Sequence, residues 1–117
     1  MTGVPVSCVT YVSAADGDRA AGQELLADYA HQQDLTVVAA YADHNGAGPP
    51  EDRPELQLAL AAIREGRAEV LLTVSSVMIS PVGSEYSAVL GEVREANGQL
   101  VCVGWSRSKQ RVLPPTP

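Results

Sequence analysis

Apolar residues in this chain fall into four short runs separated by amphipathic stretches. Val4 to Val12 (VPVSCVTYV) is β-branched and aromatic, ends at a Ser-Ala-Ala-Asp-Gly break, and reads as a strand. Gly22, Leu25, Leu26, Tyr29 and Ala30 then recur at helical spacing through about Gln33, with Asp16 or Asp18 as the capping residue. Leu35 to Tyr41 (LTVVAAY) is the second strand, followed by a polar Gly/Pro-rich loop from Ala42 to Glu51. Asp52 precedes Arg53, Pro54 and Glu55, a helix start with a capping oxygen, a first-turn proline and an acid three residues on. Leu56, Leu60 and Ile63 form its apolar stripe and Gly66 closes it. Glu69 to Ser75 is the third strand. Ser80 and Pro81 open a third helix, with Tyr86, Val89, Leu90 and Val93 on one face and Asn97-Gly98 at its end. Leu100 to Val103 is the fourth strand.

Four strands alternating with three helices predict an α/β fold: a parallel four-stranded sheet with helices on both faces. With strand order 2-1-3-4, functional groups collect where the order reverses, beyond the carboxyl ends of the first and third strands. The loops there are Ser13 to Asp18 and Ser75 to Ser80.

Composition narrows the partners. The chain has 117 residues, 45% of them apolar, enough for one domain and no more. Its 14 acidic and 8 basic residues give a net charge of −6, unevenly spread. Residues 1–104 hold five of the basic residues and all of the acidic ones, a balance of −9, whereas Arg107, Lys109 and Arg111 make residues 105–117 a weakly basic, Pro-rich tail. A body that negative repels a phosphate backbone, so DNA binding is expected to be weak or absent. No apolar run approaches membrane-spanning length and Met1 to Pro5 lack a basic signal-peptide start, so a cytoplasmic protein with no membrane contact is expected. Cys8 and Cys102 sit in apolar runs and are expected to be buried reduced thiols, and no metal-ligand spacing is present.

Candidate chemistry is sparse. No phosphate-binding glycine fingerprint fills the first loop, and the GxSxG elbow of a serine hydrolase is absent. Asp16, Asp18 and Asp43 at strand ends form a candidate magnesium or small-ligand site, although Asp16 and Asp18 also read as ordinary helix caps. The lysine that such a site commonly keeps nearby is missing, since the chain's one lysine is Lys109. His31 and His44 have no partner at ligand or triad spacing and are expected to be solvated.

One longer pattern stands out: Val12-Ser13 at a strand end, Gln23 before Leu25 and Leu26, Tyr41-Ala42-Asp43, Gly48, and Arg53-Pro54-Glu55-Leu56 followed by Ile63 and Gly66. Over about residues 5–104 this resembles the catalytic domain of the serine site-specific recombinases, the resolvase and invertase family. The resemblance implies that Ser13 is the nucleophile that would attack a DNA phosphodiester, giving a 5′-phosphoserine link. It also implies that Arg53 is one of a group of arginines that stabilise the phosphorane without a metal or other cofactor. Several of that group are missing: Tyr11 stands where the family has arginine, Ala47 where it has serine, and Val77, Met78 and Pro81 where it has aspartate and two arginines. If each lost donor costs about a hundredfold, three amount to roughly a millionfold. The expectation is a recombinase-like domain, 1–104, without catalysis, acting as a binding or regulatory module toward a protein partner or a second copy. The family's long dimer helix and DNA-reading module are also expected to be lacking, since Pro114, Pro115 and Pro117 forbid a regular helix there. Ser76, Val77, Met78 and Ile79 are the candidate contact strip, unless they bury against the third helix. The alternatives are an active strand-exchange enzyme using Ser13 and Arg53 beside an intact partner, and the magnesium or small-ligand domain.

Overall fold

The structure, a computed structural model, describes residues 5–44 and 48–104. The tail at 105–117, Ala47 and the expected strand start at Val4 lie outside them, as does the side chain of Asp16. The strands are β1 (Val6–Ala14), β2 (Leu35–His44), β3 (Val70–Thr73) and β4 (Gln99–Cys102). The helices are α1 (Asp16–Gln32), α2 (Pro54–Arg64), the short α3 (Ser76–Ile79) and α4 (Gly83–Glu95). All pairings are parallel, as the alternation of strands and helices predicts, and the order is β2-β1-β3-β4, as expected.

Side-chain alternation along β1 divides the core. Val9 and Tyr11 point to one face, where Leu56 and Leu60 of α2, Leu71 of β3 and Val89 and Val93 of α4 close over them. Cys8 and Val12 point to the other, against Leu26 and Ala30 of α1 and Leu72 and Val74. One helix on one face and two on the other is the arrangement that right-handed crossovers give for this strand order.

Helix ends follow from local chemistry. At the end of α4, Asn97 has a φ of 63°, Gly98 N donates to Val93 O and Asn97 N donates to Arg94 O, which together form a Schellman cap. Gly66, at φ 77°, closes α2 in the same way, with Arg67 N on Ala62 O.

Element limits differ from expectation mainly at the site. β2 runs on through His44, so Asp43 belongs to the strand and not to the loop beyond it. The residues expected as loop at 76–79 form α3, and α4 starts at Gly83 instead of Ser80. The Ser80 hydroxyl accepts from Val82 N and donates to Glu85 Oε1, and so stitches the entry to α4. Cys8 is buried, as expected, and burial pushes its thiol up, but Cys102 is exposed on the edge strand β4, and both thiols are free.

Candidate functional site

Because all four strands are parallel, their carboxyl ends share one end of the sheet, and there the chain opens a cleft of about 510 Å³. Ser13, next after Val9 and Tyr11 on the same face of β1, supplies one wall, and Gly48, Pro49 and Arg53 supply another. Val77 and Met78 of α3, then Pro81, Val82 and Glu85, complete it. Ser13, Arg53 and the segment after β3 therefore do converge.

Arg53 is only 6% exposed, and its Nε and Nη1 are already engaged. Its Nε donates to Gly48 O at 2.7 Å, and Nη1 donates to Met78 O at 2.5 Å and Ile79 O at 2.8 Å. Gly48 holds a φ of 101°, a left-handed conformation that a residue with a β carbon adopts only under strain. The guanidinium thus ties the loop after β2 to α3 through backbone carbonyls.

Asp43 also does structural work. Its Oδ2 accepts from the Tyr11 hydroxyl at 2.9 Å and from Leu56 N at 3.0 Å, and its Oδ1 accepts from Glu55 N at 3.2 Å. It caps α2 from across the chain. Asp52, expected in that role, lies instead in a 3-10 turn, Pro50–Asp52, and the residue at the N-cap position, Arg53, makes no side-chain cap bond. Burial, and then the neighbouring Asp43 carboxylate, push the Tyr11 hydroxyl well above its ordinary pKa.

Asp18 and Asp43, the two expected acidic ligands with described side chains, lie apart. Asp18 is exposed on α1, whereas Asp43 faces α2 on the opposite side of the sheet. Among the described residues no group of three or more His, Cys, Asp or Glu side chains is placed to hold a metal ion. Neither Asp16 nor Asp18 occupies the α1 N-cap position, which falls to Ala15 without a side-chain cap bond.

Other side chains at this end were missed by sequence reasoning. Arg19 donates from Nη1 to Ala14 O at 3.0 Å and to His44 Nδ1 at 2.9 Å, so His44, expected without a partner, has one. His31 is exposed. The backbone carbonyl of His44 accepts from Ser13 Oγ at 3.3 Å. Glu85 was not singled out either, although an acid in the first turn of a helix that begins beside a strand-end loop is the signal that could have found it. Gln23, quoted for its position alone, bridges elements: Thr10 Oγ1 donates to its Oε1 at 2.6 Å, and its Nε2 donates to Tyr41 O at 2.8 Å.

The apolar strip divides. Ser76 is exposed and Val77 is 60% exposed, Met78 packs partly against the α1-side core, and Ile79 is fully buried. As a contact surface it reduces to Val77 and the outer part of Met78, because a single turn of helix turns Ile79 inward.

Comparison with known proteins agrees with this geometry. The family model described as Resolvase, N terminal domain, matches residues 10–111. Among solved structures, the C-terminal catalytic domain of ISC1926 TnpA, an IS607-like serine recombinase, is similar at 15% identity and a TM-score of 0.74, over 92% of this chain and 77% of that one. The N-terminal catalytic domain of TP901-1 integrase is similar at 16% identity and a TM-score of 0.73, over 91% and 88%. A resolvase family site-specific recombinase from Streptococcus pneumoniae is similar at 14% identity and a TM-score of 0.69, over 84% and 72%. No curated protein matches in sequence.

Proposed function

The chain belongs to the resolvase N-terminal domain family, and from that membership we propose that it is a recombinase-type domain that does not cut DNA and serves as a binding or regulatory module. The observation that carries the proposal is the state of Arg53, whose Nε and Nη1 are bonded to the carbonyls of Gly48, Met78 and Ile79. Phosphoryl transfer to a serine needs preorganised donors aimed at the non-bridging oxygens as charge develops there. The cleft offers apolar walls at Val77, Met78 and Pro81, with the Glu85 carboxylate at its edge. Position 11 holds a phenol committed to Asp43. Among the described residues the Ser13 hydroxyl donates to the backbone carbonyl of His44, which cannot take its proton.

The module's partner is a protein or a second copy of the chain, and it needs no cofactor. Incubating the full chain with supercoiled plasmid and separating the products under denaturing conditions tests the loss of chemistry. The expected result is no nicked circle and no protein-linked DNA beyond that of Ser13→Ala. A covalent adduct that disappears in Ser13→Ala overturns the proposal. A second reading, residual strand exchange in a mixed complex, is favoured by the placement of Ser13 on an open cleft. It is tested in the same assay with an intact serine recombinase added, and product that depends on Ser13 would establish it.

A further inference from the structure

We propose that Asn97-Gly98 is a covalent modification site, at which Asn97 deamidates to aspartate and isoaspartate, and that the cap ending α4 gates the reaction. The site precedes β4 and so lies at the amino ends of the strands, opposite the cleft at Ser13. Asparagine is a chemically labile side chain, and a following glycine, with no β carbon, leaves the attacking nitrogen unshielded. In the reaction Gly98 N gives its proton to solvent and bonds to Asn97 Cγ, the Cγ–Nδ2 bond breaks and ammonia leaves. Water then opens the cyclic imide. Cleavage between Gly98 N and Cγ gives aspartate, whereas cleavage between Gly98 N and the main-chain carbonyl carbon gives isoaspartate, with an extra carbon in the backbone.

Asn97 is exposed, so water reaches its side chain, and what the fold withholds is the nitrogen. Gly98 N donates to Val93 O at 2.9 Å, while Asn97 N donates to Arg94 O and Gln99 N to Glu69 O, each also at 2.9 Å. A nitrogen paired in this way keeps its proton, and the bonds on either side resist the rotation about Asn97 Cα–C that would close the ring. Ile63, Val93 and Glu69 O crowd Gly98, so its peptide cannot swing without parting α2, α4 and the start of β4. The reaction therefore runs through opening of this corner, a local event that costs less than global unfolding. The products do not fit back. The extra carbon of isoaspartate displaces Gly98 from a niche too tight for a β carbon and shifts Gln99, the first residue of edge strand β4. Either product also adds a negative charge at the carbonyl end of α4, where the helix dipole disfavours it. An opening that leads to reaction is thus recorded permanently.

Incubating the full chain in mildly alkaline buffer, then digesting with trypsin and separating the isoaspartyl form before mass spectrometry, reads conversion at Asn97. Trypsin places Asn97 in the peptide 95–107, apart from the second Asn-Gly pair, Asn45-Gly46, in the peptide 20–64. A synthetic peptide of residues 92–102 supplies the uncapped rate. The full chain should convert at least about tenfold more slowly than that peptide. Val93→Ala, which empties part of the niche around Gly98, should raise the rate in the chain at least about threefold. Urea below the midpoint of unfolding should raise it in the parent chain as well, a measurement that stands whether or not the variant folds. The purified isoaspartyl chain should melt below the parent. Equal rates in chain and peptide overturn the gate, as does a rate that neither Val93→Ala nor urea changes. No conversion of the full chain under any of these conditions overturns the site itself, and an isoaspartyl chain that melts with the parent overturns the permanent loss of the cap.

Discussion

Tyr11 shows how a substituted position becomes part of the frame. Its side chain is fully buried, and its hydroxyl donates to a carboxylate that also holds two backbone N–H groups of α2. Tyr11→Phe removes one of three bonds to Asp43 and should lower stability by about 1 to 2 kcal/mol in urea denaturation near neutral pH. The pH dependence has a definite sign. The folded state holds the phenolic proton more tightly than the unfolded chain does, so this contribution is complete below the ordinary value of 10 and is lost as pH rises above it. Stability should therefore fall above pH 10 by up to about 1.4 kcal/mol per pH unit from this group. Tyr11→Phe should flatten that decline in urea titrations at pH 9 to 11, leaving the share of Tyr86, whose hydroxyl is also raised by burial. The sequence placed Tyr11, Asp43 and Arg53 on the right pattern but could not show that they bind the fold together. Each makes its bonds to a side chain far along the chain or to backbone groups, and neither kind of partner leaves a mark in local spacing.

Elements were more legible than side-chain roles, because a strand or helix announces itself by period whereas its ends depend on single bonds. Of the expected α4 stripe, Tyr86, Val89 and Val93 pack on the α2 side of the core, whereas Leu90 is half-buried outside that cluster. The start of α4 shifted to Gly83 because Pro81 leaves only the Ser80 hydroxyl to organise the entry, two residues early. Asn97-Gly98 ended it as expected, and the structure adds a reason for the glycine beyond the cap. A β carbon on Gly98 would come within 2.6 Å of Ile63 Cγ2 and 3.1 Å of Val93 Cγ1, where α2, α4 and the start of β4 meet. Gly98→Ala should cost about 1 to 3 kcal/mol through overpacking. Gly91→Ala, inside the same helix with nothing within 4 Å of the added carbon, should instead stabilise by up to about 1 kcal/mol. Thermal melts of the two variants check both, and equal shifts would mean that Gly98 is not packed as described.

Charge belongs to the whole molecule. In residues 1–104 five cations face 14 acidic residues, and of the five, Arg53 is bonded to carbonyls, Arg19 to Ala14 O and His44, Arg64 to Glu92 and Arg67 to Glu65. This resolvase-family fold therefore presents few cations that could displace counterions from a duplex. Sequence alone shows the balance of charge, but only the fold shows that Arg19, Arg53, Arg64 and Arg67 are already engaged, because side-chain pairing follows from three-dimensional position. The tail contributes three cations, and each phosphate neutralised steepens the dependence of log K on log salt by about 0.9. Any binding of the full chain to duplex DNA should accordingly show a slope no steeper than about −2.7, and binding should vanish above roughly 0.2 M salt. Fluorescence anisotropy with a labelled random-sequence duplex between 20 and 200 mM salt measures it. A steeper slope would require cations from the body of the domain, such as the exposed Arg94 of α4.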